Sequence, residues 1–297
     1  MHENMGRILP SHSRLMWACA CALALASAGA QDRGAEQPDA PAMSSEAAAP
    51  STPEPRKPDI EGAIGPTVTF RPEYQGAARA AIEAMPGVFV RWGRFTLTNA
   101  SGFVTRRDDD VMRGLAADLA RSERWRVNLA LRLDRGRATS DSSALTGLQS
   151  VRRTVRGRLA ATHAFDAGFS ASVGMSSDLL GRGGGTLLDL GASKSFALAP
   201  GANWTIGIVI TAADRRYMDS YFGVTPQQAA TTGYAAYAPG AGWRDVSVGV
   251  GTRREFGRRW IGYVGLSRSV LLGPARASPL TAQDASWAVN GGLAWRF

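Results

Sequence analysis

The last eleven residues, Trp287 to Phe297, constrain the chain more than any other stretch. Trp287, Val289, Leu293, Trp295 and Phe297 share one parity, interrupted only by Gly291, while Ala288, Asn290, Gly292, Ala294 and Arg296 share the other. Side chains alternate across a strand, so this segment has one apolar face and one small or polar face. It ends on an aromatic residue that is also the chain terminus. Closing strands of outer-membrane barrels have this form, and the five apolar residues are read as the barrel-assembly signal.

The start of the chain is compatible with export. Arg7 and Arg14 precede the short apolar run Leu15 to Ala26, and Ala28-Gly29-Ala30 supplies the small residues of a cleavage site. Residues 1–30 are therefore expected to be a signal peptide. Both cysteines, Cys19 and Cys21, fall inside it, so the mature chain has no disulfide framework and no thiolate metal site. Residues 31–60 are rich in Ala, Pro, Glu and Ser without an apolar period, which predicts a flexible periplasmic tail.

No later run approaches the ~18 consecutive apolar residues of a spanning helix. Membrane insertion then requires a closed barrel, the one sheet in which every backbone group is satisfied in lipid. Residues 61–297 fit that form. Arg126, Asn128, Ala130, Arg132 and Asp134 interleave with Trp125, Val127, Leu129, Leu131 and Leu133, and similar alternation recurs around 169–176 and 245–252. Twelve strands are expected, near 64–72, 86–92, 95–104, 113–120, 125–134, 151–163, 168–177, 186–196, 204–213, 245–255, 260–270 and 287–297. An even count suits a single-chain bacterial barrel. Connections alternate short and long, as periplasmic turns and outer loops do, which places both termini in the periplasm. Thr231 to Tyr237 has some strand character; a thirteenth strand would break the parity, so it is assigned to the fifth outer loop.

Charge is uneven. Of a net +9, the leader carries +1 and residues 31–60 carry −3, which leaves +11 on the remainder, almost all of it arginine. For an exported chain the anionic partners are outer-membrane lipid and lipopolysaccharide, peptidoglycan-associated polymers or small anionic solutes rather than nucleic acid.

Catalytic chemistry has little to stand on. His163 is the one histidine beyond the leader, with no cysteine to join it, so no cofactor, metal or catalytic residue is assigned. Gly181 to Gly185 lacks the Gly-Lys-Ser/Thr ending of a phosphate loop and reads as a turn. Arg106-Arg107-Asp108-Asp109-Asp110 reads as a self-compensating loop tip. Arg126, Arg132, Arg156, Arg158 and Arg253, with Arg91, fall on the inward parity as candidate lumen residues. They form either the cationic wall of an anion-passing pore or, paired with Asp118, Asp134, Asp189, Asp245 and Glu255, a filled interior.

The loop Asp214 to Pro226 combines aromatic and polar residues densely enough to pack onto the barrel mouth. Here the chain resembles the MipA/OmpV family of outer-membrane proteins. Tyr217, Tyr221-Phe222-Gly223-Val224, Pro226 to Ala229, Gly233 and Gly242 to Val246 carry the likeness, with Ser278-Pro279, Phe297, Pro72 to Gly76 and Asp178 to Gly181. The resemblance implies an outer-membrane barrel without catalytic activity. It implies an envelope scaffold or interaction role, one member joining a murein transglycosylase to a penicillin-binding protein. A small-solute or anion channel, and a surface adhesin acting through 214–244, are the alternatives.

Overall fold

The computed structural model describes residues 60–100, 111–200 and 202–297, so the expected signal peptide, most of the expected tail and the Arg106–Asp110 loop tip lie outside the described residues. Twelve antiparallel strands close into a barrel: β1 (Ile60–Pro72), β2 (Ala80–Trp92), β3 (Phe95–Thr98), β4 (Val111–Arg121), β5 (Trp125–Asp134), β6 (Thr154–Ala164), β7 (Phe169–Asp178), β8 (Thr186–Ala199), β9 (Ala202–Ala213), β10 (Gly242–Phe256), β11 (Trp260–Leu271) and β12 (Ala285–Arg296). Each strand pairs with its neighbour in sequence, and β1 pairs with β12 to remove both edges.

Closure is made where the described chain begins and ends. Ile64 lies opposite Trp295, and the Gly62 and Phe297 backbones exchange hydrogen bonds of 3.1 and 3.0 Å. The Phe297 ring covers Gly62 so closely that a Cβ there would stand 2.2 Å from it, so this position of the seam requires glycine.

The side-chain pattern is inverted relative to a soluble fold. On β5 the large apolar residues Trp125, Leu129, Leu131 and Leu133 are exposed, while Ala130 and Asp134 are buried. On β12 Trp287, Val289, Leu293 and Trp295, followed by the terminal Phe297, are exposed, and Ala288 and Ala294 are buried. Such an apolar band is unfavourable in water, at about 25 cal/mol for each Å² left wet, and is at home in lipid. No helix of the described residues is long and apolar enough to cross a membrane; the strands form the wall.

The two ends differ. One carries tight connections, such as Gly93-Arg94 and Gly257–Arg259, and both described chain ends. Aromatic rings crowd its outer rim: Trp92 against Phe95 at 6.2 Å and Trp295 against Phe297 at 5.8 Å. Lys194 stacks on Phe169 and Arg254 on Phe256 at the same level. Rings with an apolar body and a cationic neighbour favour a membrane–water interface. The other end carries the long connections, which hold α1 (Arg215–Phe222), α2 (Pro226–Thr232) and the single turn α3 (Gly273–Arg276).

Strand β3 stops at Thr98, and residues 101–104 of the expected strand lie outside the described residues. Asn99 ends its regular pairing: its Oδ1 accepts from the Val88 amide at 2.7 Å, and its Nδ2 donates to the Pro86 carbonyl at 2.9 Å. The sixth strand starts at Thr154 rather than 151, with Val151 held in a separate bridge to Arg137. Thr231 to Tyr237 is not a strand; α2 runs into it and Gly233 ends the helix in a left-handed conformation, φ 77°.

Candidate functional site

The long connections fold inward over the barrel mouth. Asp214 closes β9 and caps α1, its Oδ1 accepting from the Tyr217 amide at 2.8 Å. The helix turns Tyr217, Met218 and Phe222 toward Leu187, Ala213, Leu271 and Ala275, and all seven are buried. Gly223 follows because a Cβ there would lie 2.4 Å from the Asp219 carbonyl. Thr225 and Gln228 then cap α2 reciprocally around Pro226.

A second apolar cluster joins four connections: Tyr74 and Ala77, Leu145 and Leu148, Val224, and Leu280. Ser278 ties it to the first. Its Oγ donates to the Phe222 carbonyl at 2.6 Å and accepts from the Leu280 amide at 3.2 Å, with Pro279 between them in sequence. The Tyr74 hydroxyl donates to the Leu280 carbonyl at 3.1 Å. The loop residues singled out in the sequence, Tyr217 to Pro226 and Ser278-Pro279, thus converge on one cap.

Beneath the cap lies a layer of paired charge. Arg156 donates from Nε to Asp134 Oδ2 at 2.6 Å and from its other nitrogens to the Gly184 carbonyl and, at 3.3 Å, the Gly185 carbonyl. The glycine cluster at 181–185 is a turn, as expected, and its carbonyls hold this guanidinium. Arg158 pairs with Asp189, which also accepts from Thr211 Oγ1 at 3.0 Å. Arg244 pairs with Asp245 at 2.5 Å. The Tyr217 ring lies between Arg156 and Arg244, 5.5 and 5.3 Å from the two guanidinium carbons. Its hydroxyl accepts from Arg244 Nη1 at 2.8 Å. Tyr221 stacks on Tyr217 at 4.4 Å and donates to Asp134 Oδ1 at 3.3 Å. Arg137 donates to the Tyr221 carbonyl at 2.7 Å.

Burial sets the electrostatics of the cap. It pushes the Tyr217 phenol above its ordinary pKa, with Arg244 opposing. Tyr74 is raised by the same cause, and burial draws Arg137 below the usual arginine value.

Toward the tight-turn end the remaining candidate arginines meet carboxylates near water. Arg126 donates to Asp118 at 2.7 Å, Arg91 approaches Glu61 at 4.0 Å, and Arg253 and Arg296 share Glu255 at 3.4 and 3.3 Å. Arg132 is half-buried on the Arg126 parity. The opposite wall is of small residues: Ser193, Thr205, Gly207, Ser247, Gly249 and Ser267 line a recess within it.

Arg244 escaped sequence reasoning for a geometric reason. Strict alternation puts it with Val246 and Val248 on the outer face. A bulge between Trp243 and Asp245 turns it inward beside Asp245. An arginine on an otherwise apolar parity was the available signal.

His163 sits on the outer face of β6 among rings, 4.5 Å from both Trp125 and Phe165, and its buried Nδ1 makes no hydrogen bond. No group of three metal-ligating side chains occurs among the described residues.

A family model described as "MltA-interacting protein MipA" matches residues 64–297. No curated protein matches the chain. Solved structures similar to it include the NanC porin, at 9% identity and TM-score 0.43 over 78% of this chain and 98% of that one. The anion-selective porin from Comamonas acidovorans shows 10% identity and TM-score 0.37, covering 80% and 99%. OmpT of Vibrio cholerae shows 7% identity and TM-score 0.35, covering 80% and 97%.

Proposed function

The chain belongs to the MltA-interacting protein MipA family, and from that premise we propose that it is a non-enzymatic envelope scaffold whose barrel anchors a periplasmic interaction surface. Its compartment is the outer membrane. In this reading the termini and tight turns face the periplasm and the cap faces outward.

One observation carries the reading: the outer mouth is filled. Met218 and Ala275 are wholly buried beneath the loops, and Phe222 and Leu145 are only 1% exposed. Below them the arginines that could attract anions are neutralised by Asp134, Asp189 and Asp245. A barrel built for passage keeps its lumen open and its charges unspent. A barrel built to hold a partner needs rigidity, which the packed cap supplies.

The partner implied by the family's name is a murein transglycosylase of the MltA kind; a penicillin-binding protein is the second candidate. Contact runs through residues 31–60 and the basic turns at Arg121, Arg124, Arg258 and Arg259. Pull-down of murein enzymes from envelopes by the full chain, and by a chain lacking 31–60, tests this. Loss of recovery on deletion supports the tail's role; unchanged recovery refutes it.

The second reading, a small-solute or anion channel, draws on the small-residue wall around Ser193, Gly207 and Ser247. Single-channel recording in planar bilayers separates the two. The scaffold reading expects no conductance steps from the capped barrel, and steady unitary conductance would overturn it.

A further inference from the structure

Five arginines gather at one side of the outer mouth under conditions unlike those in the lumen. Arg152 and Arg153 precede β6, Arg182 is on the β7–β8 connection, and Arg215 and Arg216 open α1; all five are exposed. Two contacts hold the three connections together: Arg182 Nη1 donates to the Arg153 carbonyl at 2.9 Å, and Arg216 Nη2 donates to the Gly181 carbonyl at 2.8 Å. Of the five, Arg215 has a carboxylate, Asp219 at 3.5 Å. Arg152, Arg153, Arg182 and Arg216 have none among the described residues. The nearby acids are already engaged. Asp178 accepts from Thr154 Oγ1 and, at 3.0 and 2.9 Å, from the Leu180 and Gly184 amides, and Asp214 caps α1.

Two large apolar side chains stand in the same connection as Arg182. Leu179 and Leu180 are 57% and 50% exposed, and the Leu179 amide bonds the Val155 carbonyl on the outer-facing parity of β6. They continue the apolar band of the wall upward to the arginines. Elsewhere on the cap the large apolar side chains are buried or half-buried, so exposure of two leucines here implies a covering.

We infer that this patch binds a phosphorylated glycolipid of the outer leaflet, a lipopolysaccharide-type molecule. Leu179 and Leu180 meet its acyl chains, and the four carboxylate-free arginines meet its phosphates. Guanidinium groups suit this chemistry because their planar donors reach phosphate oxygens in pairs. A soluble polyanion would use the arginines and leave the leucines wet; a neutral lipid would do the reverse. The inference rests on the orientation proposed above, with the cap facing outward.

The test uses the full-length protein purified in detergent and titrated with fluorescent lipopolysaccharide carrying phosphorylated lipid A. The variant R152Q/R153Q/R182Q/R216Q should weaken binding on the order of tenfold. A control pair that removes the same two positive charges guards against a general charge effect: R153Q/R216Q should weaken binding, and R79Q/R276Q, at the same end of the barrel, where Arg276 is already paired with Asp284, should not. L179S/L180S should weaken binding of the lipid while leaving any binding of its soluble core saccharide unchanged. Equal loss in both arginine pairs, or equal affinity for dephosphorylated lipid, overturns the site. Unchanged binding in the quadruple variant that still shows the heat-modifiable mobility of a folded barrel overturns it as well. Orientation is read separately by labelling R182C with an impermeant maleimide on intact cells; lack of labelling would refute the proposed topology without touching the binding result in detergent.

Discussion

Arg156 and Asp134 form an ion pair sealed inside the barrel, Nε to Oδ2 at 2.6 Å, with their side chains only 1% and 4% exposed. Neither charge can be solvated if the other is removed. Asp134→Asn should therefore destabilise the barrel by about 3–5 kcal/mol, whereas R156L/D134L, which removes both charges, should cost less. Urea unfolding in detergent, followed by tryptophan fluorescence, gives the comparison. Additive costs in the double variant would show that the two groups do not act as a pair.

Tyr217 joins the cap to that layer. Tyr217→Ala removes a buried ring and the contact shared by Arg156 and Arg244, and should loosen the cap by roughly 3–5 kcal/mol. Protease sensitivity within 214–241 should rise, and conductance steps absent from the parent should appear in bilayers. Tyr217→Phe keeps the ring and loses the hydroxyl contacts to Arg244 and Gln75, 2.8 and 3.3 Å long. It should cost only about 1 kcal/mol and leave the mouth closed.

The cap should be sensitive to alkali and indifferent to mild acid. Burial raises both Tyr217 and Tyr74 above the ordinary phenol pKa of about 10. Between that value and the raised one the folded state binds more protons than the unfolded state, so stability falls as pH rises. Below pH ~10 the phenols are neutral in both states and contribute no slope. Cap opening, read as protease sensitivity against pH, should begin above about pH 10. In Y74F/Y217F that onset should move higher; an unchanged onset would assign the transition to other groups.

Closure of the barrel should depend on the fit of Phe297 over Gly62. Gly62→Leu places a side chain where the ring lies, since even a Cβ would stand 2.2 Å from it. The folded, heat-modifiable fraction after refolding into detergent should drop severalfold. Phe297→Ala combined with Gly62→Leu should recover part of it. Failure of the second change to help would mean that Gly62→Leu disrupts the seam for a reason other than the clash with the Phe297 ring.

Much of this architecture was legible because a lipid-facing wall imposes a period of two. Trp125 to Asp134 reads as β5 without any structural knowledge, and the short turn at Gly93-Arg94 follows from counting strands inward from both ends. The partners of Arg126, Arg156, Arg158 and Arg253 could be narrowed to inward carboxylates for the same reason, and each meets one of them. Departures came where something other than alternation decides direction. The bulge at Trp243/Asp245 reverses Arg244, and Asn99 ends β3 with side-chain hydrogen bonds. The helices α1 and α2 lie in a loop that sequence periodicity treats as irregular. Their caps were nonetheless written in the chain, as Asp214 and as Thr225-Pro226 with Gln228 three residues on. The basic patch around Arg182 was invisible, because its members are up to 64 residues apart and only the folded connections bring them together.

The β1–β12 seam has a consequence for how such a gene can change. No prefix of this polypeptide, however long, has all its amides satisfied in a bilayer until the final strand arrives, so a prematurely terminated product is left with no partial role. Inheritance of variants is correspondingly quantised. A single span dropped or gained would force the closing pair to be parallel and put the two ends of the barrel sequence on opposite sides of the bilayer, so a wall that keeps this antiparallel seam lengthens or shortens by whole hairpins, two crossings at a time.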